Sequence, residues 1–402
     1  MADIIPFRGT RYNQDKIKDL SKVTAPPYDV ISKKEQDRLY GMNRYNVIRM
    51  LLGRDLTGDN DRENKYTRAG RYLETWQKQG ILKKDAQPGI YINLQEFKLD
   101  GKVKRRIGFL ALLKLEEFDT KRSSVYPHEN TLAAPKEDRA RLIRAIEANL
   151  GPVFAIYEDK EGAVSKILRD QMKPKPLADI KDNHGVRNKF WRVSDKKAIA
   201  EIIGFMKRKK IFIADGHHRY EVGLAFSKYK KDPRYGYILT YFTDLFGDGL
   251  VVLPYHRIIG GLDRSALSAL QDNLRKNFIT RQIKSKKESK TFLAKAESRE
   301  ARFVIYAQKR FTGLIFKGKK ELDVSIAKGL IIEPLRKIFI DFTKDLDYAI
   351  KEVDEGRFSF AILVNPVKIT EIRDVAFLGN RMPQKSTYFY PKVLTGLVMN
   401  VF

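Results

Sequence analysis

Apolar residues in this chain alternate between short continuous runs and three-to-four spacings, the rhythm of strands interleaved with helices, which predicts a mixed α/β protein. Helices are expected over 33–43 and 60–80, with strands at Ile4–Phe7, Val47–Leu52 and Ile90–Phe97. Segments 90–98 and 103–115 flank Asp100-Gly101, a pair suited to a tight hairpin turn. Pro135 opens a further helix, with Glu137 and Asp138 in its first turn. Leu142, Ile143, Ile146 and Leu150 form its apolar stripe, and Gly151-Pro152 is expected to stop it. A strand at 153–158, a hairpin over 177–193, a helix at 195–208 and the strand Ile211-Phe212-Ile213-Ala214 follow, the last running into a helix that reaches Lys230. Strands are expected near 236–243 and 249–259. Residues 264–345 alternate helix and strand without a chemical motif. A strand from Phe358 to Val364, a helix at 368–378 and a loop from Met382 to Lys392 close the pattern. The rhythm suggests an N-terminal α/β region over 1–120 and a catalytic region over 121–402, with the motif-poor stretch as an insertion.

Composition adds exclusions. No cysteine is present, so disulfides, thiol nucleophiles and thiolate metal sites are ruled out. No apolar run approaches the roughly 20 residues that span a bilayer, and Met1 to Arg11 lacks a signal-peptide pattern, so a cytoplasmic, non-membrane protein is expected. Seventy-eight Lys and Arg against fifty Asp and Glu leave a net charge of +28, a field that attracts nucleic acid, phosphorylated metabolites or an anionic membrane surface. Runs such as Lys207-Arg208-Lys209-Lys210 lack interleaved aromatics and read as solvated surface, with a polyanion-binding face as the alternative.

Candidate chemistry concentrates in a few corners. Ile211 to Ala214 runs into Asp215-Gly216-His217-His218-Arg219. Asp215 stands where a helix cap belongs, Gly216 permits close backbone approach, and the histidines and Arg219 occupy the first helical turn. A helix N-terminus with an arginine fork is suited to phosphate. In Tyr126-Pro127-His128-Glu129-Asn130-Thr131, a Pro-fixed loop presents Glu129 either as a general base or as a cap for the following helix. In Met382-Pro383-Gln384-Lys385-Ser386-Thr387-Tyr388-Phe389-Tyr390-Pro391-Lys392, Lys385, Ser386 and Thr387 could form a second anion cradle. Ala25-Pro26-Pro27-Tyr28-Asp29-Val30-Ile31-Ser32 is an extended segment in which Ser32 caps the next helix, and His256 is a further polar residue near a strand. The common nucleotide, zinc-protease and hydrolase motifs are absent from the sequence.

The ordered set APPYDVIS, PHE-x-T, ADGHHRYE and MPxKSTYFYPK, spread over residues 25–392, resembles a widespread bacterial and archaeal family long labelled as of unknown function. The Pro-His-Glu loop, the strand running into DGHHR and the late lysine-hydroxyl loop also resemble those of the free L-serine kinases of the ParB/sulfiredoxin superfamily. That resemblance implies a ParB/sulfiredoxin-like core and phosphorylation of L-serine to O-phospho-L-serine, with pyrophosphate, ADP or ATP as donor. It assigns Glu129 as base and Gly216, His217, His218, Arg219, Lys385, Ser386 and Thr387 to phosphate, with His217 and Asp215 also catalytic. His128 and Thr387 would contact the amino acid, and Asp215 would guide a magnesium ion inferred from phosphate chemistry. This chain is longer, carries extra elements between Glu129 and Asp215, and has Ser386 where threonine is expected. Two alternatives stand beside this reading: a phosphoserine phosphatase using the same cradle, and a nucleotide-gated nucleic-acid module of ParB type. The charge favours the module, but no recognition-helix pattern is visible.

Overall fold

The computed structural model describes residues 1–119, 121–296, 300–319, 321–335 and 337–402. The chain is a mixed α/β protein, as its rhythm predicts, and forms two compact units. The first comprises Met1–Pro127, Thr131–Val251 and Pro391–Phe402; the second comprises His128–Asn130 and Val252–Tyr390.

Among the described residues, the first unit is built on a nine-stranded mixed sheet. Its path runs Val125–Tyr126, Ile211–Asp215, Val153–Tyr157, Tyr237–Asp244, Lys102–Lys114, Ile90–Leu99, Arg187–Val193 and Ala178–Lys181, with Ile4–Ile5 also on Lys102–Lys114. The hairpin at the centre turns at Asp100 and Gly101, both left-handed (φ 48° and 77°), as a two-residue turn requires. Val153–Tyr157 and Ile211–Asp215 are apolar almost throughout because both lie in the middle of the packed sheet, where Val153, Ala155, Tyr157, Ile211 and Ile213 join one core cluster. The helices Ala163–Gln171 and Lys196–Lys207 supply Val164, Leu168, Ala198, Ile202 and Met206 to that same cluster.

The second unit holds a six-stranded sheet whose described pairings are all antiparallel, ordered Phe278–Ile283, Arg310–Phe316, Arg302–Ala307, Phe360–Leu363, His256–Gly260 and Phe339–Thr343. Side chains alternate across it with the strand period of two. Ile259, Phe303, Ile305, Phe360 and Ile362 enter one core with Leu270 of the helix Arg264–Asn277. Ile258, Val304, Tyr306, Ala361 and Leu363 enter the other with Phe292, Ala349 and Val353 of the helices Lys286–Ala294 and Leu346–Asp354. A sheet with apolar cores on both faces explains why its inner strands Arg302–Ala307 and Phe360–Leu363 read as continuous apolar runs.

Three local expectations change. Val47–Leu52, expected as a strand, contains the short helix Ile48–Leu51. The buried Asn46 redirects it: its Oδ1 accepts from Ile48 N at 2.9 Å, while its amide donates to the carbonyls of Lys22 and Thr24. The helix expected from Pro135 to Gly151 spans Ala133–Ile146 instead, because Glu147 adopts a left-handed conformation (φ 43°) and ends it. Ala148–Asn149 then pairs with Asn400–Val401. The strand expected over 249–259 divides into Val251–Leu253 and His256–Gly260 around Pro254, which has no N–H for a ladder.

His256, at the start of its strand, is buried and accepts a hydrogen bond from Val364 N at its Nδ1, at 3.3 Å. Burial lowers its pKa from 6.5 to about 4; Arg257 and Lys290 act in the same direction and Asp345 against it. The unfolded chain therefore takes up this proton first as pH falls. Its contribution to stability should be complete above pH 6.5 and should be lost on acidification towards pH 4, a change of the order of 3 kcal/mol. Urea unfolding of wild type and His256→Gln at pH 7 and pH 5 measures it: the stability difference between the two pH values should shrink in the variant. An unchanged difference would show that His256 titrates normally.

Candidate active site

Two constellations carry the sequence-predicted residues, one in each unit. In the first, Ile211–Asp215 pairs antiparallel with Val153–Tyr157, but the register shifts between Ile213 and Asp215. Such a bulge re-aims the side chain beyond it. Gly216 follows at φ 92°, and the helix His217–Lys230 begins at once. A Cβ at Gly216 would lie 3.0 Å from the Arg219 guanidinium. The cap is therefore Gly216, not Asp215 as the sequence suggested, and Asp215 is the last strand residue.

Freed from capping, the Asp215 carboxylate binds cations. Its Oδ2 accepts from Lys392 Nζ at 2.7 Å, and its Oδ1 lies 3.8 Å from Arg219 Nη2. Arg219 Nη1 donates to the Pro152 carbonyl, while its Nε is buried without a hydrogen-bond partner. His217 is buried, and His218 Nε2 accepts from Leu132 N at 3.0 Å, which places the proton of a neutral His218 ring on Nδ1. A magnesium ion at Asp215 does not fit this arrangement. The Lys392 ammonium already sits against the carboxylate, and among the described residues no three His, Asp or Glu side chains cluster to hold a metal.

Lys392 owes its place to a buried arginine. Arg106 is 1% exposed, donates to the Gln95 side-chain oxygen and the Pro391 carbonyl, and stacks 4.7 Å from the Phe154 ring. Gln95 Nε2 in turn donates to the Lys392 carbonyl at 3.1 Å. Neither Arg106 nor Lys392 stands out in the sequence as a site residue. Arg106 directly precedes the apolar run Ile107 to Leu113 and follows Lys104 and Arg105, so the sequence shows it as the end of a basic stretch and not as a buried cation.

In the second unit, the Pro-His-Glu loop and the late loop meet as a short parallel bridge between Glu129 and Met382. Met382 N donates to the His128 carbonyl at 2.7 Å, and Arg381 Nη1 donates to the Glu129 carbonyl at 3.1 Å. Lys385 adopts a left-handed backbone (φ 59°) and turns its N–H onto Glu129 Oε1, although the two residues are 256 apart in sequence. His128 is fully buried and its Nε2 lies 3.1 Å from Thr387 Oγ1, while Ser386 Oγ donates to the Pro383 carbonyl. Ser386 and Thr387 thus shape the loop from inside, and the backbone N–H of Lys385 touches the glutamate. The capping alternative for Glu129 falls away, since the helix Ala133–Ile146 begins at Leu132 with no side-chain cap. Arg257 is a further residue that sequence reasoning passed over. It is buried, its charge interacts with that of Glu129, and burial pulls its pKa down to about 10.

The APPYDVIS segment lies in the first unit. Ser32 caps the helix Lys33–Met42 by accepting from Glu35 N, as predicted. Tyr28 lies 4.1 Å beneath the Arg139 guanidinium and, with Arg139, Arg219 and Thr395, lines a cavity of about 60 Å³. Burial raises the Tyr28 hydroxyl to a pKa of about 12, with Asp29 adding to the rise.

The chain belongs to the family described as a protein of unknown function, DUF1015, whose model matches residues 4–333. No curated protein matches it. Among solved structures it has likenesses at low similarity to a conserved hypothetical protein from Pyrococcus furiosus (13% identity, TM-score 0.40, covering 72% of this chain and 98% of that one). A free serine kinase in complex with AMP matches at 12% identity and TM-score 0.39, over 70% of this chain and 90% of its own. SbnI with a C-terminal truncation, from Staphylococcus aureus, matches at 11% and 0.40, over 71% and 85%. Among the described residues, no helix is long and apolar enough to cross a membrane.

The corner depends on Gly216 having no side chain. Gly216→Ala should cost about 1–2 kcal/mol, because a Cβ is strained at this φ and crowds Arg219. The matched control is Gly204→Ala, inside the helix Lys196–Lys207 with nothing within 4 Å, which should gain about 0.5–1 kcal/mol. Urea unfolding of both variants checks this. Equal effects at the two sites would mean that the left-handed corner is relaxed in solution.

Proposed function

We propose that the protein is a phosphotransferase that phosphorylates free L-serine to O-phospho-L-serine, with ADP, ATP or pyrophosphate as donor and a catalytic core of the ParB/sulfiredoxin type. The observation that carries the reading is the placement of Glu129. A carboxylate not used for capping is fixed by the Lys385 N–H, stands over the buried His128–Thr387 pair and is opposed by the charge of Arg257. A glutamate so oriented suits a general base. Lys392 and Arg219, gathered around Asp215, supply the positive charge that a phosphoryl donor needs.

In this reading Glu129 takes the proton of the serine hydroxyl. The hydroxyl oxygen forms its bond to the terminal phosphorus of the donor while the bond from that phosphorus to the bridging oxygen breaks. The electron pair leaves with AMP, ADP or phosphate, according to the donor. His217, His218 and Arg219 neutralise charge on the transferred group, and Gly216 allows the backbone to approach it. Lys385, Ser386, Thr387 and His128 hold the loop that presents the base and the serine. No step is assigned to a metal ion.

Incubation with serine and each donor in turn, with and without magnesium, should yield phosphoserine by mass spectrometry; absence of product with all three donors would refute the reading. Glu129→Gln should lower turnover about 10²–10⁴-fold with the fold intact. Arg219→Ala should weaken donor binding about ten- to a hundredfold by calorimetric titration, the usual worth of a charge-assisted contact. Serine binding should change little. Equal donor affinity in wild type and Arg219→Ala would remove the corner from the donor site.

A further inference from the structure

A second site lies in the first unit, among residues that the phosphotransfer reading does not use. The segment between the helices Lys33–Met42 and Ile48–Leu51, with the face of Lys65–Lys78 toward it, encloses a groove of about 580 Å³. That volume is within the range of small-molecule sites. Its lining holds four arginines, Arg44, Arg49, Arg68 and Arg71, against the single carboxylate of Glu63.

These arginines are not equally committed. Arg68 is held by a paired contact to Asp59, and Glu63 is shared between Arg71 and Arg68. Among the described residues Arg44 makes no ion pair; its guanidinium carbon lies 4.8 Å from the centre of the Tyr45 ring. Arg49 makes none either. One of its terminal nitrogens donates to the Tyr40 carbonyl, and its Nε is buried without a hydrogen-bond partner. A buried donor left unmade costs free energy that a ligand acceptor can recover.

The same groove carries three aromatic rings. Tyr45 meets Trp76 edge-on at 5.6 Å, and Tyr72 meets it at 5.7 Å. Trp76 is buried and acts as a fixed support, while Tyr45 and Tyr72 are half-exposed and can offer ring surface to a ligand. The Tyr45 backbone is itself anchored, since its carbonyl accepts from Tyr12 Oη at 2.7 Å.

Forked cations that grip phosphate oxygens, beside supported aromatic rings that take a flat heterocycle, match the two ends of a nucleotide. We propose that this groove binds a nucleoside phosphate, with the base against Tyr45 and Tyr72 and the phosphates on Arg44, Arg49 and Arg71. The site shares no residue with the Asp215–Arg219 corner, and the proposal does not depend on the phosphotransfer reading.

The full chain carrying Arg219→Ala provides the background, so that binding at the corner is weakened. Calorimetric titration of ADP into it should still show one site per chain. Adding Arg44→Ala and Arg71→Ala, both exposed positions, should weaken that site at least tenfold without lowering the melting temperature. Adding Tyr72→Ala instead should weaken ADP about tenfold and leave pyrophosphate unchanged. Loss of all ADP binding in the Arg219→Ala background would overturn the proposal. So would pyrophosphate binding as tightly as ADP, which would mark a plain anion patch. A single-stranded oligonucleotide binding more than a hundredfold tighter than ADP would overturn it too, by making the groove a nucleic-acid surface.

Discussion

The guanidinium of Arg106 is buried in the middle of the first unit's sheet, and it cannot stay there without partners. A lone buried cation costs several kcal/mol, so its donors must be met nearly in full. Gln95 across the hairpin supplies one oxygen and the Pro391 carbonyl supplies another, with Phe154 beneath the planar face. The consequence reaches well beyond one side chain. A segment near the C-terminal end of the chain is fixed against strands from its first third, and the next residue is Lys392. With its backbone carbonyl held by Gln95, Lys392 reaches Asp215 at a defined distance. Burial also pushes the Arg106 pKa down, so the protein holds a charge here against its own solvation preference. Lysine at position 106 would keep the charge but not the planar fork that joins the Gln95 oxygen to the Pro391 carbonyl.

The second unit reaches a similar end through backbone conformation. Lys385 is not glycine, yet it sits in the left-handed region, where a Cβ is strained by about 1–2 kcal/mol. The strain turns its N–H onto Glu129, and the surrounding contacts over-determine the turn: Ser386 to Pro383, Thr387 to His128, Met382 to the His128 carbonyl. A lysine side chain in a polar loop suggests a point charge for an anion. Here its backbone carries the observed contact with the glutamate, and its ammonium lies 5.5 Å from the Tyr255 ring.

What could be read from the sequence followed the reach of the signal. Local chemistry was legible: the Asp100-Gly101 turn, the Ser32 cap, and the strand that runs into His217. Each depends on residues within a few positions of one another. Val47–Leu52 reads as a strand because six apolar and basic residues do not separate a strand from a turn of helix, and the deciding bonds come from Asn46 to Lys22 and Thr24. Asp215 looks like a cap in the sequence because an acidic residue before a helix is usually one; the bulge before it and Lys392 beyond it leave no trace nearby. Glu129 and Lys385 both stand out in the sequence, but their pairing across the chain does not, since periodicity carries no information about which loops meet. The groove leaves no mark in the sequence for a related reason. Its arginines are spaced as Arg44, Arg49, Arg68 and Arg71, and look like ordinary surface charge until two helices bring them together.

The electrostatics of the corner explain why an aspartate belongs among cations. Lys392 and Arg219 are both mostly buried, and two like charges held near one another in such surroundings repel. Asp215 offsets that repulsion and keeps both side chains oriented before any ligand arrives. The trio still carries one net positive charge, and Arg219 keeps a buried N–H without a partner. An anion entering such a corner would meet donors already in place, so little of its binding energy would be spent on ordering lysine and arginine side chains. Removing the carboxylate would leave the charge count more favourable for phosphate but the geometry undefined. For a phosphoryl group that must be presented in line to an attacking oxygen, position is worth more than one additional unit of charge.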